Sequence, residues 1–370
     1  MQKLPPLSPI VAALPATVPF VGPEAQERDR GRPFRARLGA NESSFGPSPL
    51  VVERMQAIAG DMWMYCDPDN HDLRQAAAAY LGISADNVVV GEGIDGLLGL
   101  LARMYVGPND PVVTSLGAYP TFNFHVAGTG GRLVTAPYEN DRESLDGLLA
   151  AVKRENAPLV YLSNPDNPMG SWWEADDINR FLEALPETTM LVLDEAYGEL
   201  GPASALPSVD VTRPNLIRMR TFSKAYGLAG IRLGYAFGEK QVISDFEKIR
   251  NHYGVSRMAQ EAGVVALADQ PWLREVVAKV EAGRQRIATI ARDNGLAPLP
   301  SATNFVTVDC GRDGTFAGKI LQSLLSRDVF IRKPMAAGLD RCIRISVGLD
   351  HELDILAEEL PGAVAAARGN

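Results

Sequence analysis

The spacing of apolar and polar residues differs from one part of the chain to the next. From about residue 49 to residue 238, short continuous apolar runs such as NVVV and MLVL alternate with stretches of helical period. Continuous apolar runs are typical of strands covered by helices on both faces, so the pattern predicts an α/β fold with a mostly parallel, doubly wound sheet. The predicted strands are 87–90, 111–114, 132–135, 159–162, 190–193, 216–220 and 233–236, and the predicted helices between them are 95–104, 120–127, 144–153 and 174–184.

The pattern differs at the two ends of the chain. After Gly238, long amphipathic stretches alternate with a few short strands (within TNFVTVDC, DVFIRK and CIRISV), which predicts a smaller α+β domain. Residues 1–35 are rich in Pro and Arg without a sustained period, so we expect an extended arm. The predicted division is an N-terminal arm over 1–37 that packs with the small domain, a large domain over 38–245 and a small C-terminal domain over 246–370.

Composition narrows the classes of function. The chain carries 45 acidic and 36 basic residues and no basic patch, which argues against a nucleic-acid partner. No apolar run approaches the roughly 20 residues that span a bilayer, and the proline-interrupted N-terminus lacks a signal-peptide pattern, so no membrane partner is expected. The three cysteines are widely spaced and indicate neither a disulfide framework nor a metal site. We therefore expect a cytoplasmic protein.

A glycine-rich turn follows the predicted strand NVVV. Gly91-Glu92-Gly93-Ile94-Asp95-Gly96 fits the pattern G-x-G-x-x-G and opens a predicted helix, which taken alone suggests a dinucleotide site. The next strand does not end in the acidic residue that such a site requires about 20 residues on. Backbone N–H groups at a glycine-rich helix N-terminus favour a phosphate, so the turn predicts phosphate binding more firmly than it predicts NAD.

Side chains that could bind a ligand or take part in catalysis follow three further predicted strands. Asp194, Ala196 and Tyr197 come directly after MLVL; an isolated Asp at such a place is more often a helix cap than a ligand. Asn167 lies in SNPDNPMG, where Asn-Pro is ordinary turn punctuation, and Tyr119 as a lone aromatic is more often part of a core. Open α/β sheets place their ligands at the carboxyl ends of the strands, which favours the functional interpretation of all of them.

The segment TFSKAYGLAGIR carries the strongest indication of chemistry. A lone lysine in a loop is nearly always solvated, whereas Ser223-Lys224 lies between a buried strand and a glycine-rich stretch that ends at Arg232. Ser223 and Arg232 can both hold a phosphate, with the planar guanidinium acting as a forked cation. Arg344, in the alternating strand CIRISV, could face solvent or could bind a carboxylate through both of its N–H edges.

Taken in order, these motifs resemble the class I and II aminotransferases of fold type I, which depend on pyridoxal 5′-phosphate, and they are most similar to histidinol-phosphate aminotransferases. The resemblance covers nearly the whole chain from about Leu38, through LGANES, GAYPTF, SNPDNPMG, VLDEAY and RTFSKAYGLAGIRLGYA. It implies an enzyme that moves an amino group from histidinol phosphate or an aromatic-type amino acid to a 2-oxo acid such as 2-oxoglutarate. The reaction would be ping-pong, through a Schiff base (aldimine) on Lys224.

The resemblance also implies a role for each candidate residue. Lys224 would hold the cofactor, Asp194 would meet the pyridine nitrogen, and Arg344 would take the substrate carboxylate. The other implied cofactor contacts are Tyr119 on the ring face, Asn167 and Tyr197 at the phenolic oxygen, and Ile94, Asp95, Ser223 and Arg232 at the phosphate. Tyr65 would reach the cofactor of a partner subunit in a homodimer, Asn41 would close over the substrate, and Arg332 would bind a distal substrate phosphate.

Some positions depart from the family pattern. The arm lacks the family's Pro-Pro-Tyr and reads Pro15-Ala16-Thr17-Val18-Pro19-Phe20, so the distal phosphate site is only half supported. A decarboxylase of a phosphorylated amino acid on the same scaffold is the alternative reaction. A pyridoxal-phosphate-sensing regulator is a further alternative, against which stands the absence of a helix-turn-helix pattern or basic region before Leu38.

Overall fold

The computed structural model of the chain describes residues 5–16 and 21–369. Within these ranges the helices are α1 (Pro9–Ala12), α2 (Pro23–Arg30), α3 (Pro49–Ile58), α4 (His71–Leu81), α5 (Gly93–Tyr105), α6 (Pro120–Thr129), α7 (Leu145–Glu155), α8 (Ala175–Ala184), α9 (Lys240–Asp245), α10 (Arg257–Ala268), α11 (Gln270–Asp293), α12 (Gly314–Ser326) and α13 (Asp350–Arg368). The strands are β1 (Ala36–Arg37), β2 (Val88–Gly91), β3 (Pro111–Ser115), β4 (Arg132–Ala136), β5 (Tyr138–Glu139), β6 (Arg142–Glu143), β7 (Leu159–Ser163), β8 (Met190–Asp194), β9 (Leu216–Thr221), β10 (Gly234–Gly238), β11 (Ala297–Pro298), β12 (Phe305–Asp309), β13 (Val329–Phe330) and β14 (Cys342–Ser346).

The central sheet contains all of the strands that the apolar runs of the first 238 residues predict. Its order is β2-β10-β9-β8-β7-β3-β4, and every neighbouring pair is parallel except the two that involve β10. The sheet is therefore mixed but mostly parallel, as expected. The glycine-rich turn follows β2, which lies at the edge of the sheet beside an antiparallel strand, and this placement does not match the first parallel strand of a dinucleotide fold.

Helices bury both faces of this sheet. Apolar side chains of α5 and α6, such as Leu97 and Phe122, pack on one face, and those of α7 and α8, such as Val152 and Phe181, pack on the other. This explains why β7, β8 and β9 are buried at every position and read as continuous apolar runs. Each large apolar side chain buried in this way contributes about 1.5–3 kcal/mol to folding.

The C-terminal third of the chain forms a second set of layers. Strands β11, β12 and β14 make an antiparallel sheet, against which α11 and α12 pack, and α13 packs on these two helices and on β1 and β13. Strand β1 pairs in parallel with β13, with Ala36 opposite Val329, so the last residues of the arm join this region through backbone hydrogen bonds. The boundaries proposed for the domains, 38–245 and 246–370, stay a prediction.

The N-terminal arm differs from the expectation of an extended chain. It contains the two short helices α1 and α2, each with Pro at its first position, and the Ser8 side chain caps the first of them. Proline fits the first turn of a helix because the N–H that it lacks would have no partner there. Helices this short lack the periodic pattern from which a helix is predicted. No helix in the described ranges is long and apolar enough to cross a membrane.

Candidate functional site

The carboxyl ends of the parallel strands open onto one cleft of about 770 Å³. Strands β7, β8 and β9 lie side by side, so the residues that follow them, among them Asn167, Asp194 and Lys224, are brought to the same edge of the sheet. Residues of the C-terminal region close the other side. The predicted site residues that line this cleft are Asn41, Ile94, Asp95, Tyr119, Asn167, Asp194, Tyr197, Ser223, Lys224, Arg232, Arg332 and Arg344.

Lys224 lies in the middle of the cleft. Its Nζ donates to the backbone oxygen of Asn41 at 2.8 Å and lies 5.7 Å from the ring centre of Tyr197. Burial, with a further contribution from Arg344, lowers the pKa of Lys224 to about 8. At pH 7 roughly a tenth of this amine is therefore unprotonated, far more than of an ordinary lysine, and able to act as a nucleophile or a base.

Asp194 ends β8 at the floor of the cleft. Its two carboxylate oxygens accept from the Tyr161 hydroxyl at 2.7 Å and from the backbone N–H of Ala196 at 2.9 Å. Burial raises the pKa of Asp194 to about 6, so the group is an anion at neutral pH with no cation in hydrogen-bond contact in the described chain. A buried anion held in this way is suited to a cationic ring nitrogen. Tyr161 was not predicted, because a tyrosine inside the apolar run LVYLS has no local pattern that sets it apart.

A cradle for a phosphate lies where α5 begins. Gly93 has a positive φ of 74°, and a Cβ at this position would come within 2.8 Å of Arg232 Nη2. Arg232, itself at φ 56°, lies 3.8 Å from Asp95 and is half exposed, while the Ser223 hydroxyl on the opposite loop accepts from Thr221 Oγ1 at 3.0 Å. The glycine thus lets the guanidinium approach the N-terminus of α5, where backbone N–H groups and positive charge converge.

Tyr119 covers another wall of the cleft, just before α6. Its hydroxyl donates to the Asp95 carboxylate at 2.9 Å, which ties the loop after β3 to the first turn of α5. Burial, followed by the charge of Asp95, raises the pKa of Tyr119. The ring is therefore a neutral, oriented surface against which a flat ligand can stack.

Asn41 connects the N-terminal segment to the floor of the cleft. Its Nδ2 donates to the Tyr197 hydroxyl at 3.1 Å, and its Oδ1 accepts from the Ser346 hydroxyl at 2.9 Å. Asn304 Nδ2 donates to the Asn41 backbone oxygen at 3.0 Å. Since the Tyr197 oxygen already accepts a hydrogen bond, its own proton is available to donate into the cleft. Burial raises the pKa of Tyr197 to about 12, which keeps that proton in place.

Arg344 points from β14 toward Asn167. Its Nη1 donates to Asn167 Oδ1, its Nη2 is 3.4 Å from the Gly39 oxygen, and its guanidinium lies 5.1 Å from the ring centre of Phe305. Its buried Nε–H has no acceptor among the described residues. Burial lowers the pKa of Arg344 to about 10, so the group remains a cation. A buried guanidinium with an unused donor is suited to bind an anion.

Arg332 lies directly opposite Arg344 in an antiparallel bridge between two chain segments. The two backbones exchange hydrogen bonds, Arg332 N to Arg344 O at 3.1 Å and Arg344 N to Arg332 O at 2.7 Å. Directly opposite residues of an antiparallel pair extend their side chains to the same face, about 5.5 Å apart at Cα. The Arg332 guanidinium also donates to the Val21 carbonyl, which links it to the N-terminal arm.

One predicted site residue lies elsewhere. Tyr65 does not line the cleft; its side chain is 81% exposed, and its ring lies 5.1 Å from that of Tyr253. Thr17 to Phe20, the arm segment that departs from the family pattern, lie outside the described residues.

The cleft fits pyridoxal 5′-phosphate. It offers a lysine amine, a buried carboxylate, a glycine cradle with an arginine, a hydroxyl donor and an unused guanidinium N–H in one connected space. These match the aldehyde, the ring nitrogen, the phosphate, the phenolic oxygen and the anion of an amino substrate, respectively.

Comparisons with known proteins agree with this geometry. The model of the family described as aminotransferase class I and II matches residues 36–360. The crystal structure of a histidinol-phosphate aminotransferase from Sinorhizobium meliloti, in complex with pyridoxal-5′-phosphate, superposes with a TM-score of 0.96 at 57% identity and covers 98% of this chain and 99% of that chain.

Curated relatives agree with the structural match. The histidinol-phosphate aminotransferase 1 of Mesorhizobium japonicum is 36% identical over 328 residues, which are 86% of this chain and 88% of that protein. The histidinol-phosphate aminotransferase of an Anaeromyxobacter species is 36% identical over 355 residues, 94% of this chain and 96% of that protein.

Proposed function

The chain belongs to the class I and II aminotransferases and its cofactor is pyridoxal 5′-phosphate, and from this premise we propose that it transfers the amino group of histidinol phosphate to a 2-oxo acid such as 2-oxoglutarate. The transfer is ping-pong: the oxo product leaves before the 2-oxo acid binds in the same cleft. The relatives named above, at up to 57% identity over nearly the full chain, support this substrate.

The pairing of Arg332 with Arg344 carries the substrate assignment. Histidinol phosphate bears its phosphate one carbon away from the carbon that carries the amino group, whereas an amino acid bears its carboxylate directly on that carbon. Two guanidinium groups on one face of a strand pair are suited to a single dianion close to the reacting carbon. We therefore assign both arginines to one anion site, with Arg344 also holding the carboxylate of the 2-oxo acid.

The other side chains of the cleft bind the cofactor or transfer protons. Bound pyridoxal phosphate supplies an aldehyde that takes up the amino group and a ring that withdraws electrons from the reacting carbon. Lys224 moves the proton between the substrate carbon and the cofactor carbon, acting as base and then as acid. Asp194 keeps the ring nitrogen protonated, Tyr197 and Asn167 donate to the phenolic oxygen, and Tyr119 stacks on the ring. Arg232, Ser223 and the N–H groups of Ile94 and Asp95 hold the phosphate.

Arg332→Ala should discriminate between donors. We expect kcat/KM for histidinol phosphate to fall about 10- to 100-fold, the loss that accompanies a charge-assisted hydrogen bond of about 1.5–3 kcal/mol. An aromatic amino acid, whose carboxylate needs Arg344 alone, should lose less than about threefold. Steady-state kinetics with both donors and 2-oxoglutarate measure this ratio.

Lys333→Ala is the matched control for the positive charge. Lys333 is adjacent to Arg332, but its Nζ donates to the Asp340 backbone oxygen at 2.6 Å, so its loss should affect both donors alike. An equal loss for both donors in Arg332→Ala would contradict the shared anion site. Release of CO₂ instead of an oxo product from a phosphorylated amino acid would favour the decarboxylase over the transferase.

A homodimer with shared sites is part of the proposal. Tyr65 and Tyr253 form an aromatic pair, with Tyr65 81% exposed, and Trp63, two residues before Tyr65 in the chain, is 82% exposed. Exposed aromatic clusters are typical of interfaces between protein chains. We propose that Tyr65 donates to the cofactor phosphate in the partner subunit.

Mixing two inactive chains tests the dimer. We expect Tyr65→Ala to lose roughly 10- to 100-fold in activity, as the loss of one hydrogen bond to a charged group predicts. Co-expression with Lys224→Ala should restore activity to about a quarter of the wild-type value, because half of the dimers are hybrids and each hybrid has one intact site. No restoration in purified hybrids would contradict a shared site.

A further inference from the structure

Two carboxyl groups are buried together behind the loop that carries Asn167. Glu143, in the β5–β6 hairpin, is 1% exposed, and Asp166, in the loop after β7, is 2% exposed. Neither lines the cleft. The mechanism above uses neither of them, so their burial needs a separate reason, since an unpaired buried carboxylate is costly.

Hydroxyl and amide groups surround the pair. Glu143 accepts from Ser115 Oγ at 3.0 Å and from the backbone N–H of Ser163 at 3.3 Å. Asp166 accepts from the Tyr138 hydroxyl at 2.8 Å and from the backbone N–H of Met169 at 3.0 Å. No arginine, lysine or histidine is among these partners in the described chain.

The two carboxyl groups share one hydroxyl and lie within hydrogen-bond reach of each other. Ser163 Oγ lies 3.0 Å from a Glu143 oxygen and 3.3 Å from an Asp166 oxygen. A hydroxyl has one proton and can donate to only one of the two. With both acids ionised, two buried like charges would face each other with no proton between them; one proton held by the pair removes this repulsion and provides a donor for their contact.

The charges around the pair favour protonation of Glu143. Burial, together with the charge of Asp166, raises the pKa of Glu143 well above its ordinary value, and burial raises the pKa of Asp166 to about 6. The other titratable groups that interact electrostatically with one or both acids are Tyr138, Tyr161, Tyr197 and Arg344. Near neutral pH the pair therefore holds one proton and one negative charge.

The loop that presents Asn167 is fastened through Asp166. Besides the contact of its side chain with Met169, the backbone N–H of Asp166 donates to Ser171 O at 2.8 Å and its oxygen accepts from Gly170 N at 3.1 Å. Asn167 follows directly and accepts from Arg344. A shift of Asp166 would thus move both a cofactor contact and a substrate contact.

We propose that Glu143 and Asp166 are positioning residues which share one proton and thereby hold the Asn167 loop, and through it Arg344, in place for cofactor and substrate. The part that concerns substrate binding rests on the function proposed above. The shared proton does not, because it can be measured on the cofactor-free protein.

Unfolding of the cofactor-free protein at different pH values tests the shared proton. With the pKa of Glu143 raised in the folded state, the folded protein holds a proton that an unfolded glutamate releases above its ordinary pKa of 4.5. Wild-type stability therefore falls as pH rises from that value until folded Glu143 also releases its proton. Glu143→Gln cannot release a proton here, so its unfolding midpoint relative to wild type should rise with pH.

Glu352→Gln is the matched control. Glu352 is also buried and accepts from the backbone N–H groups of Arg37 and Leu349, and it touches neither carboxyl of the pair. The pH dependence of its unfolding midpoint shows the effect of replacing a buried carboxyl elsewhere in the fold. A constant offset between Glu143→Gln and wild type at all pH values would overturn the shared proton. Failure of Glu143→Gln to fold would do the same, because the amide should replace the protonated acid.

Kinetics of the loaded enzyme test the positioning. Glu143→Ala should raise KM for histidinol phosphate and for 2-oxoglutarate about tenfold, as the loss of one hydrogen bond predicts, with a smaller change in kcat. Glu143→Gln should restore KM toward the wild-type value. An unchanged KM in Glu143→Ala together with a pH-dependent stability difference would retain the shared proton but overturn its role in positioning. The same comparison of KM with other amino donors shows whether an unchanged KM arises because histidinol phosphate is not the substrate.

Discussion

Lys224→Ala should lower kcat by about 10⁴-fold or more, since it removes both the amine that holds the cofactor and the group that moves the proton. The visible absorbance band given by attachment of the cofactor to this amine should be absent as well. The physical basis is the position of Nζ in the cleft, 2.8 Å from the Asn41 oxygen, and its pKa of about 8. Absorbance spectra and single-turnover assays with saturating cofactor measure both effects.

The fold should survive this substitution. Within residues 5–16 and 21–369 the Lys224 side chain makes one hydrogen bond, to the backbone oxygen of Asn41, so the thermal midpoint of Lys224→Ala without cofactor should match that of wild type. Lys240→Ala is a suitable control, because this lysine pairs with Asp86 at the surface and such pairs contribute about 0–1 kcal/mol. A band that persists in Lys224→Ala but disappears in another lysine variant would show that the cofactor is held elsewhere.

Local patterns made much of the site predictable. The chain follows each of β7, β8 and β9 with a short polar segment, and neighbouring parallel strands present those segments at one edge. Continuous apolar runs located the strands to within one or two residues, because burial on both faces leaves few polar positions in them. Ser223 and Lys224 were predictable because all residues of their motif are contiguous in the sequence.

Contacts between distant segments were not predictable in this way. The hydrogen bond of Tyr161 with Asp194 depends on the register between two strands, and that of Asn304 with Asn41 joins residues 263 positions apart. The sequence indicated Arg332 and Arg344 as separate binding residues, whereas the structure makes them direct neighbours. Strands that are apolar on both faces, such as β7 and β8, have no alternation that would show which residue lies opposite in the neighbouring strand.

A buried ion network next to Asp194 in the chain should make the central sheet sensitive to the loss of one carboxylate. Glu195 accepts from Arg218 Nη2 at 2.6 Å and from Arg220 Nε at 2.7 Å, and Arg220 also pairs with Glu199 at 3.0 Å. All of these side chains are at most 7% exposed. Burial by itself would raise the pKa of Glu195, but the charges of Arg218 and Arg220 lower it below its ordinary value, so the carboxylate is the anion that compensates two buried cations.

Glu195→Ala should therefore lower the free energy of unfolding by about 3–5 kcal/mol, because it leaves two guanidinium groups buried without their shared partner. Chemical denaturation of the cofactor-free protein measures this loss. Glu261→Ala is the matched control: its ion pair with Arg54 is partly exposed, and its removal should cost at most about 1 kcal/mol. If Glu195→Ala cost no more than Glu261→Ala, the two buried guanidinium groups would not depend on Glu195 for their compensation. Since Glu195 is the residue after Asp194, the same variant should also bind pyridoxal phosphate more weakly, through displacement of the Asp194 carboxylate.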